Sequence, residues 1–162
     1  MYKSTPNKIV KDESGNIHWI SRSLVTIAFV TWREKILIVK RGESVSETGK
    51  WCLPCGYIDY DETIQESIAR EIWEETGIDI KEWVDINKLE PVKIFSDPIG
   101  KKQNIHMDFI IRLDDNDEPN INMNIIDPLE TTDVKWIEFK ELESYNFAFK
   151  HLDKIKSYYG EI

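Results

Sequence analysis

The sequence is poor in cysteine, glycine and histidine, and it holds no long apolar run. Its two cysteines, Cys52 and Cys55, form one C-x-x-C, and the three histidines, His18, His106 and His151, are scattered. A structural zinc site usually takes four Cys/His ligands at set spacings, which the scattered histidines do not supply. A redox pair is the alternative, without a helix N-terminus pattern behind it. The expectation is two thiols packed near a strand. No stretch approaches the roughly 18 apolar residues of a membrane span. The segment from Met1 to Glu13 is polar, without the apolar core of a secretory signal. A cytoplasmic protein with no membrane partner is expected.

Basic residues are the scarcer charge, 21 against 30 acidic, for a formal net charge of −9. Such a chain gains no counterion-release affinity for nucleic acid, so no nucleic-acid partner is expected. It would also repel a free phosphate unless a cation sat between them.

What remains is an ordinary globular chain. Its 162 residues predict a single domain over 1–162, long enough to bury a core. Asp12-Glu13-Ser14-Gly15-Asn16 reads as a turn between short strands. Ser23 to Trp32 and Lys35 to Lys40 are β-branched apolar runs and read as strands joined tightly at Arg33-Glu34. Gly42 to Lys50 reads as a loop. Thr63-Ile64-Gln65-Glu66 fits a capping box, and Ile64, Ile68 and Ile72 with Ala69 give the helix that follows one apolar stripe. Gly77 is placed to end it in a left-handed turn. Val92 to Asp97 and Ile105 to Leu113 read as strands with a turn at Asp97-Pro98-Ile99-Gly100. Asp114 to Pro119 is an acidic loop, Val134 to Phe139 a late strand, and Phe147 to Tyr159 a C-terminal helix. Strands around a few helices predict a layered α/β domain.

The chemistry concentrates on the first helix. Glu71, Glu74 and Glu75 fall at i, i+3 and i+4, within an arc of about 100° on one face. They repel one another there, and they crowd the helix C-terminus, the wrong end of the macrodipole for anions. A solvated acidic face is the plain alternative. A divalent cation would resolve the conflict, because clustered carboxylates suit Mg²⁺ or Mn²⁺, which also take phosphate oxygens. It would also let an acidic protein hold an anionic diphosphate.

The whole segment from Gly56 to Ile78 resembles the Nudix box, G-x5-E-x7-R-E-U-x-E-E-x-G-U, with U a bulky aliphatic. Gly56, Glu62, Arg70, Glu71, Ile72, Glu74, Glu75, Gly77 and Ile78 fill every specified position. The approach, Ile36 to Arg41 and Gly49 to Pro54, also looks like the family's, as does the late stretch from Glu130 to Trp136. Cys55 and Asp61 depart from it, at positions where glycine is common. Cys55 would put a side chain in a turn that otherwise allows close backbone approach.

The resemblance implies a Nudix-type α/β/α sandwich with a mixed β-sheet. It implies Mg²⁺- or Mn²⁺-dependent hydrolysis of a nucleoside diphosphate linked to another moiety. Glu71, Glu74 and Glu75 would ligate metal, one of the last two through water. Arg70 would orient Glu71, Glu62 would support Arg70 or the loop, and Gly56 would permit the loop-to-helix turn. The base would be Glu71 or a downstream acid, with Glu130 chosen over Asp114, Asp115, Asp117 and Glu118. Arg41 is a candidate phosphate contact, and Trp51 and Phe95 are candidates for a base pocket, although aromatics are more often core. Trp19, Trp83 and Trp136 are expected in the core.

ADP-ribose or a related nucleotide sugar is the expected substrate. Pro91 and Pro98, however, fall on either side of the place where the ADP-ribose subgroup carries proline. Phe95 stands where the dinucleoside polyphosphate subgroup carries tyrosine. A (deoxy)nucleoside triphosphate is the next candidate. The rival class is a non-catalytic nucleotide sensor on the same fold. Many members of the family pair, and the commonest closed assembly is a two-fold dimer, so a homodimer fits the resemblance.

Overall fold

The apolar runs of the sequence become the central strands because both of their faces are covered. The computed structural model describes residues 6–96, 98–99, 102–113 and 117–160, apart from the side chain of Trp19. In chain order, β1 (Lys8–Lys11) and β2 (Ile17–Ile20) make a separate hairpin. The main sheet contains β3 (Leu24–Trp32), β4 (Lys35–Arg41), β5 (Trp51–Cys52), β6 (Cys55–Tyr57), β7 (Lys93–Ser96), β8 (Ile105–Arg112) and β9 (Thr131–Glu138). The helices are α1 (Ile64–Thr76) and α2 (His151–Tyr159).

Successive side chains of a strand point to opposite faces. Ala28, Val30 and Trp32 of β3 join Leu37 and Val39 of β4 on one side, under Ile68, Ala69 and Ile72 of α1. Ile27, Phe29, Ile36 and Ile38 pack on the other side with Ile155 of α2. Strands buried on both faces read as continuous apolar runs rather than as alternation. The result is an α/β/α sandwich. Its sheet runs β5-β4-β3-β8-β7, with β6 also on β3 and β9 also on β4. β3 and β8 are parallel while their neighbours are antiparallel, so the sheet is mixed. Among the described residues no helix is long and apolar enough to cross a membrane.

One irregularity positions the site. β3 and β4 pair only beside their turn, at Thr31↔Ile36 and Trp32↔Lys35. Beyond that they part. β6 takes up β3 (Ile27↔Cys55) and β5 takes up β4 (Val39↔Cys52). Leu53-Pro54 crosses the fork, and Ala28 N–H donates to Pro54 O at 2.9 Å. Both short strands were unexpected, because two or three residues carry no readable period.

The expected helix α1 is present with its capping box: Glu66 N–H donates to Thr63 Oγ1 at 3.2 Å and Thr63 N–H to Glu66 Oε2 at 2.7 Å. Gly77 closes it at φ 73. Two expected boundaries move. β9 starts at Thr131, ahead of Val134. α2 starts at His151 rather than Phe147, because Phe149 and Lys150 both take left-handed backbone, φ 53 and 59. α2 is anchored through the buried Asp108 of β8, which accepts from Lys154 Nζ at 2.7 and 2.9 Å and from Tyr158 OH at 3.0 Å. The expected turn at Asp97 to Gly100 lies partly outside the described residues, as do Asp114 and Asp115.

Candidate active site

α1 presents Glu71, Glu74 and Glu75 to a cleft of about 340 Å³, whose other walls include Val39, Arg41, Cys55, Gly56 and Glu130. Arg70 organises this wall. Its Nε and Nη2 donate to the two oxygens of Glu62 at 2.9 and 2.8 Å. Its Nη1 donates to Glu71 Oε1 at 2.7 Å and Glu74 Oε2 at 2.9 Å, and Nη2 also reaches Tyr57 O at 3.0 Å. A planar fork with several fixed donors makes this possible, where an ammonium group would not.

The carboxyls differ sharply in consequence. The hydrogen bonds from Arg70 hold Glu62 down to about 2. Burial pushes Glu71 up to about 7, with Arg70 opposing. Burial, followed by the neighbouring Cys52 sulfur and Glu71, pushes Glu75 well above the ordinary carboxylate range. Glu75 Oε2 accepts from the Cys55 backbone N–H at 3.0 Å. The side chain of Cys55 therefore does not stop the backbone from approaching the helix.

Gly56 has a different physical reason from the one expected. Its φ is not positive. A Cβ there would lie 2.1 Å from Glu71 Oε1, so the glycine makes room for the carboxylate.

These carboxylates suit a hard divalent cation chemically. Among the described residues, however, no three His, Cys, Asp or Glu side chains converge as a ready metal cage. Arg70 accounts for this, because its bonds draw Glu71 Oε1 and Glu74 Oε2 toward the guanidinium. The second oxygen of each lies outside those bonds. The repulsion between Glu71 and Glu75 is what a divalent cation beside them would relieve.

A second cavity of about 430 Å³ adjoins the first and shares Arg41, Cys55, Gly56 and Tyr57 with it. Its far side includes Ile27, His106, Phe149 and His151. Arg41 lies at the junction, with Cζ 4.6 Å from the Phe149 ring centroid. His151 is buried, and its Nδ1 accepts from Leu53 N–H at 3.0 Å. Burial, reinforced by Lys154, holds it down to about 3, so the ring is neutral.

The structure thus brings Arg41, Gly56, Arg70, Glu71, Glu74, Glu75 and Glu130 around one cleft, with Glu62 behind Arg70. Gly77 lies at the helix end. Trp51 and Phe95 lie elsewhere. Trp51 is buried in the core, edge-on to Tyr145 at 5.3 Å. Phe95 lies on the exposed edge strand β7, under the ammonium groups of Lys93 and Lys154. Glu118 pairs with Lys35 at the opposite end of β4, and Asp117 is an exposed loop residue. Trp83 and Trp136 pack, partly buried, against the core. Tyr57, His106, Phe149 and His151 were not foreseen, since no local pattern marks them.

The sandwich and its carboxylate-lined cleft define a class of α/β fold with an acidic helix beside a ligand-sized cavity. A NUDIX domain profile matches residues 22–158, and the chain belongs to that family. Nudix hydrolases generally use divalent metals. Phosphatase NudJ of Escherichia coli is 46% identical over 55 residues, 33% of this chain and 35% of NudJ. The match thus spans about a third of that relative's length. A bifunctional NMN adenylyltransferase/ADP ribose pyrophosphatase from Francisella tularensis, solved with AMP and a Mn ion, superposes with a TM-score of 0.69 at 25% identity. The alignment covers 85% of this chain and 41% of that one. The NUDIX domain of Shewanella oneidensis NrtR, solved with ADP ribose, is 19% identical with a TM-score of 0.66, covering 91% and 90% of the two chains. That likeness bears on the fold.

Proposed function

We propose that the protein is a divalent-metal-dependent pyrophosphohydrolase, acting on a nucleoside diphosphate linked to another moiety. ADP-ribose or a related nucleotide sugar is the favoured substrate. The observation that carries this reading is the juxtaposition of the two cavities. An acidic wall meets, through Arg41, a mostly apolar cavity with an aromatic ring at its rim. Such a pair suits a ligand with a diphosphate at one end and an organic group at the other. The relatives' names and bound nucleotides lend it support.

Glu71, Glu74 and Glu75 would hold Mg²⁺ or Mn²⁺. When bound, the cation neutralises the diphosphate and makes water more acidic. Arg70 fixes the orientation of Glu71 and Glu74, and Glu62 fixes Arg70. Arg41 offers a guanidinium to a phosphate between the cavities. Water attacks one phosphorus, Glu71 or Glu130 takes its proton, and the other phosphate departs with its substituent.

The test is a chromatographic turnover screen over ADP-ribose, sugar nucleotides, dinucleoside polyphosphates and nucleoside triphosphates, with Mg²⁺, Mn²⁺ or EDTA. Metal-dependent cleavage of ADP-ribose or a sugar nucleotide, lost in Glu75→Gln, is expected. Cleavage of triphosphates alone would move the substrate. Ligand binding without cleavage, unaffected by EDTA, would replace the enzyme with a sensor.

A further inference from the structure

We propose that Cys52 and Cys55 form a reversible dithiol–disulfide pair that a hydroperoxide closes, and that closure displaces the carboxylate wall of the cleft. The C-x-x-C lacks the helix N-terminus of familiar redox motifs, but the fold gives it another setting. The two residues straddle the fork of the sheet, Cys52 paired with Val39 and Cys55 with Ile27. Both thiols are free, and their side chains lie close enough to act on one another. Cys55 lines both cavities and Cys52 is buried, so the ligand's own entrance leads a small oxidant to Cys55 first. Arg41 Nη1 donates to Cys52 Sγ at 3.8 Å, which ties the pair to the residue at the junction of the two cavities.

The coupling to the site runs through backbone. The residue that would move, Cys55, holds Glu75 through its N–H at 3.0 Å. The next residue, Gly56, packs against the Glu71 carboxylate. Closing the bond brings the two sulfurs to about 2.05 Å, with a fixed torsion. Leu53-Pro54 is the only chain between them, so the strain falls on β5, on β6, or on both. A shift in β6 changes the positions of Glu71 and Glu75 together.

The chemistry balances with peroxide as oxidant. One thiolate attacks a peroxide oxygen, the O–O bond breaks, and hydroxide leaves and is protonated to water, giving a sulfenic acid. The second sulfur, losing its proton, attacks the first. The S–S bond forms and the S–O bond breaks, releasing a second water. Two thiols are oxidised and one peroxide is reduced. A dithiol reductant reverses the change by exchange.

Reduced protein would be titrated with hydrogen peroxide and followed by intact mass, peptide mapping and amide hydrogen exchange over residues 55–57. The expected product has lost two hydrogens, carries a Cys52–Cys55 link and exchanges faster in that segment. Turnover of the substrate found above is expected to fall at least about tenfold and to return with dithiothreitol. Cys52→Ala is expected to keep its own untreated rate through the same exposure. Should it fail to fold, Cys55→Ser gives the same comparison. Two thiols still titratable after exposure would overturn the proposal, as would a linked form with unchanged exchange and turnover. The mass and exchange readouts need no substrate, so a missing hydrolase activity would sink the proposed function and leave this inference standing.

Discussion

The two cavities that meet at Arg41 are built in opposite ways. The acidic one is mostly local: Gly56 comes from β6, and Arg70, Glu71, Glu74 and Glu75, with Glu62 behind Arg70, come from the loop and helix that follow it. The other gathers Ile27 from β3, Arg41 from β4, His106 from β8, and Phe149 and His151 from the approach to α2. The first is held by charge, with one guanidinium hydrogen-bonded to three carboxylates and a fourth, Asp59, at 3.7 Å. The second is held by packing and by neutral rings, since burial keeps His151 near 3 and also lowers His106. On the proposed function, reactivity would sit where spacing along one helix fixes geometry. Selectivity would sit where the sheet brings distant residues together. Changes to the first should act on rate, and changes to the second on binding.

The largest expected effect comes from neutralising a carboxylate. Glu71→Gln should lower kcat by about 10²–10⁴-fold with little change in KM. The same variant gives a second readout in metal-free protein. In the fold the Glu71 carboxyl ionises near 7, against an ordinary 4.5. The folded state therefore binds the proton more tightly. The resulting stabilisation is complete below 4.5 and lost as pH rises through about 7. Glutamine does not ionise, so Glu71→Gln should melt higher than the parent at pH 8 and similarly at pH 4.5.

Gly56→Ala should come next. Its methyl group would meet Glu71 Oε1 at 2.1 Å. Displacing a reacting group by about 1 Å costs on the order of 10²-fold in rate. Melting temperature measured beside kcat separates displacement from unfolding. Arg70→Lys should follow, at about tenfold in kcat, since an ammonium group cannot hold Glu62, Glu71 and Glu74 in one plane. A rate equal to that of the parent would mean that charge alone, not the fork, sets the wall.

The same contrast explains what could be read in advance. The box was legible because each of its residues has a local reason: a capping box, an apolar stripe, a helix-ending glycine, and three acids at helical spacing. The central strands were legible because their apolar runs are long. The second cavity was not, because its members share no segment. His151 looks in sequence like any surface histidine, and only the fold buries it against Leu53 N–H. Trp51 and Phe95 were singled out as aromatics near the box in sequence. Yet Trp51 points into the core, and Phe95 sits on an edge strand. Glu130 was reachable only through the resemblance, since an exposed loop acid carries no pattern of its own. Gly56 shows the subtler case. Its presence was legible but its reason was not, because the conflict with Glu71 exists only after the helix has packed.

Phe149→Ala sharpens the comparison from the cavity's side. The ring is partly exposed, held by left-handed backbone beside Arg41. If it stacks on an organic group of the substrate, its loss should raise KM by roughly five- to tenfold, the lower end of aromatic–base stacking, with kcat nearly constant. A fall in kcat without a change in KM would assign Phe149 to positioning Arg41 instead.

The last effect concerns stability rather than turnover. His151 ionises near 3 in the fold against an ordinary 6.5. Between those values the unfolded chain takes a proton that the folded chain refuses. The contribution is therefore complete above 6.5 and is lost as pH falls toward 3, at about 1.4 kcal/mol per pH unit within the window. Glu62 adds a loss in the same direction below 4.5, where its carboxylate must give up Arg70. Glu71 acts oppositely between 4.5 and 7, so the parent's melting curve alone would blur the two. His151→Asn isolates the effect, because its amide oxygen offers Leu53 N–H an acceptor without titrating. Thermal melts at pH 7, 6 and 5 should show the parent's advantage over this variant shrinking at each step. A constant difference would mean that the imidazole takes up its proton as easily in the fold as outside it. The cavity beside the carboxylate wall would then be wet enough to hold a charge, and its selectivity would have to come from polar contacts rather than shape.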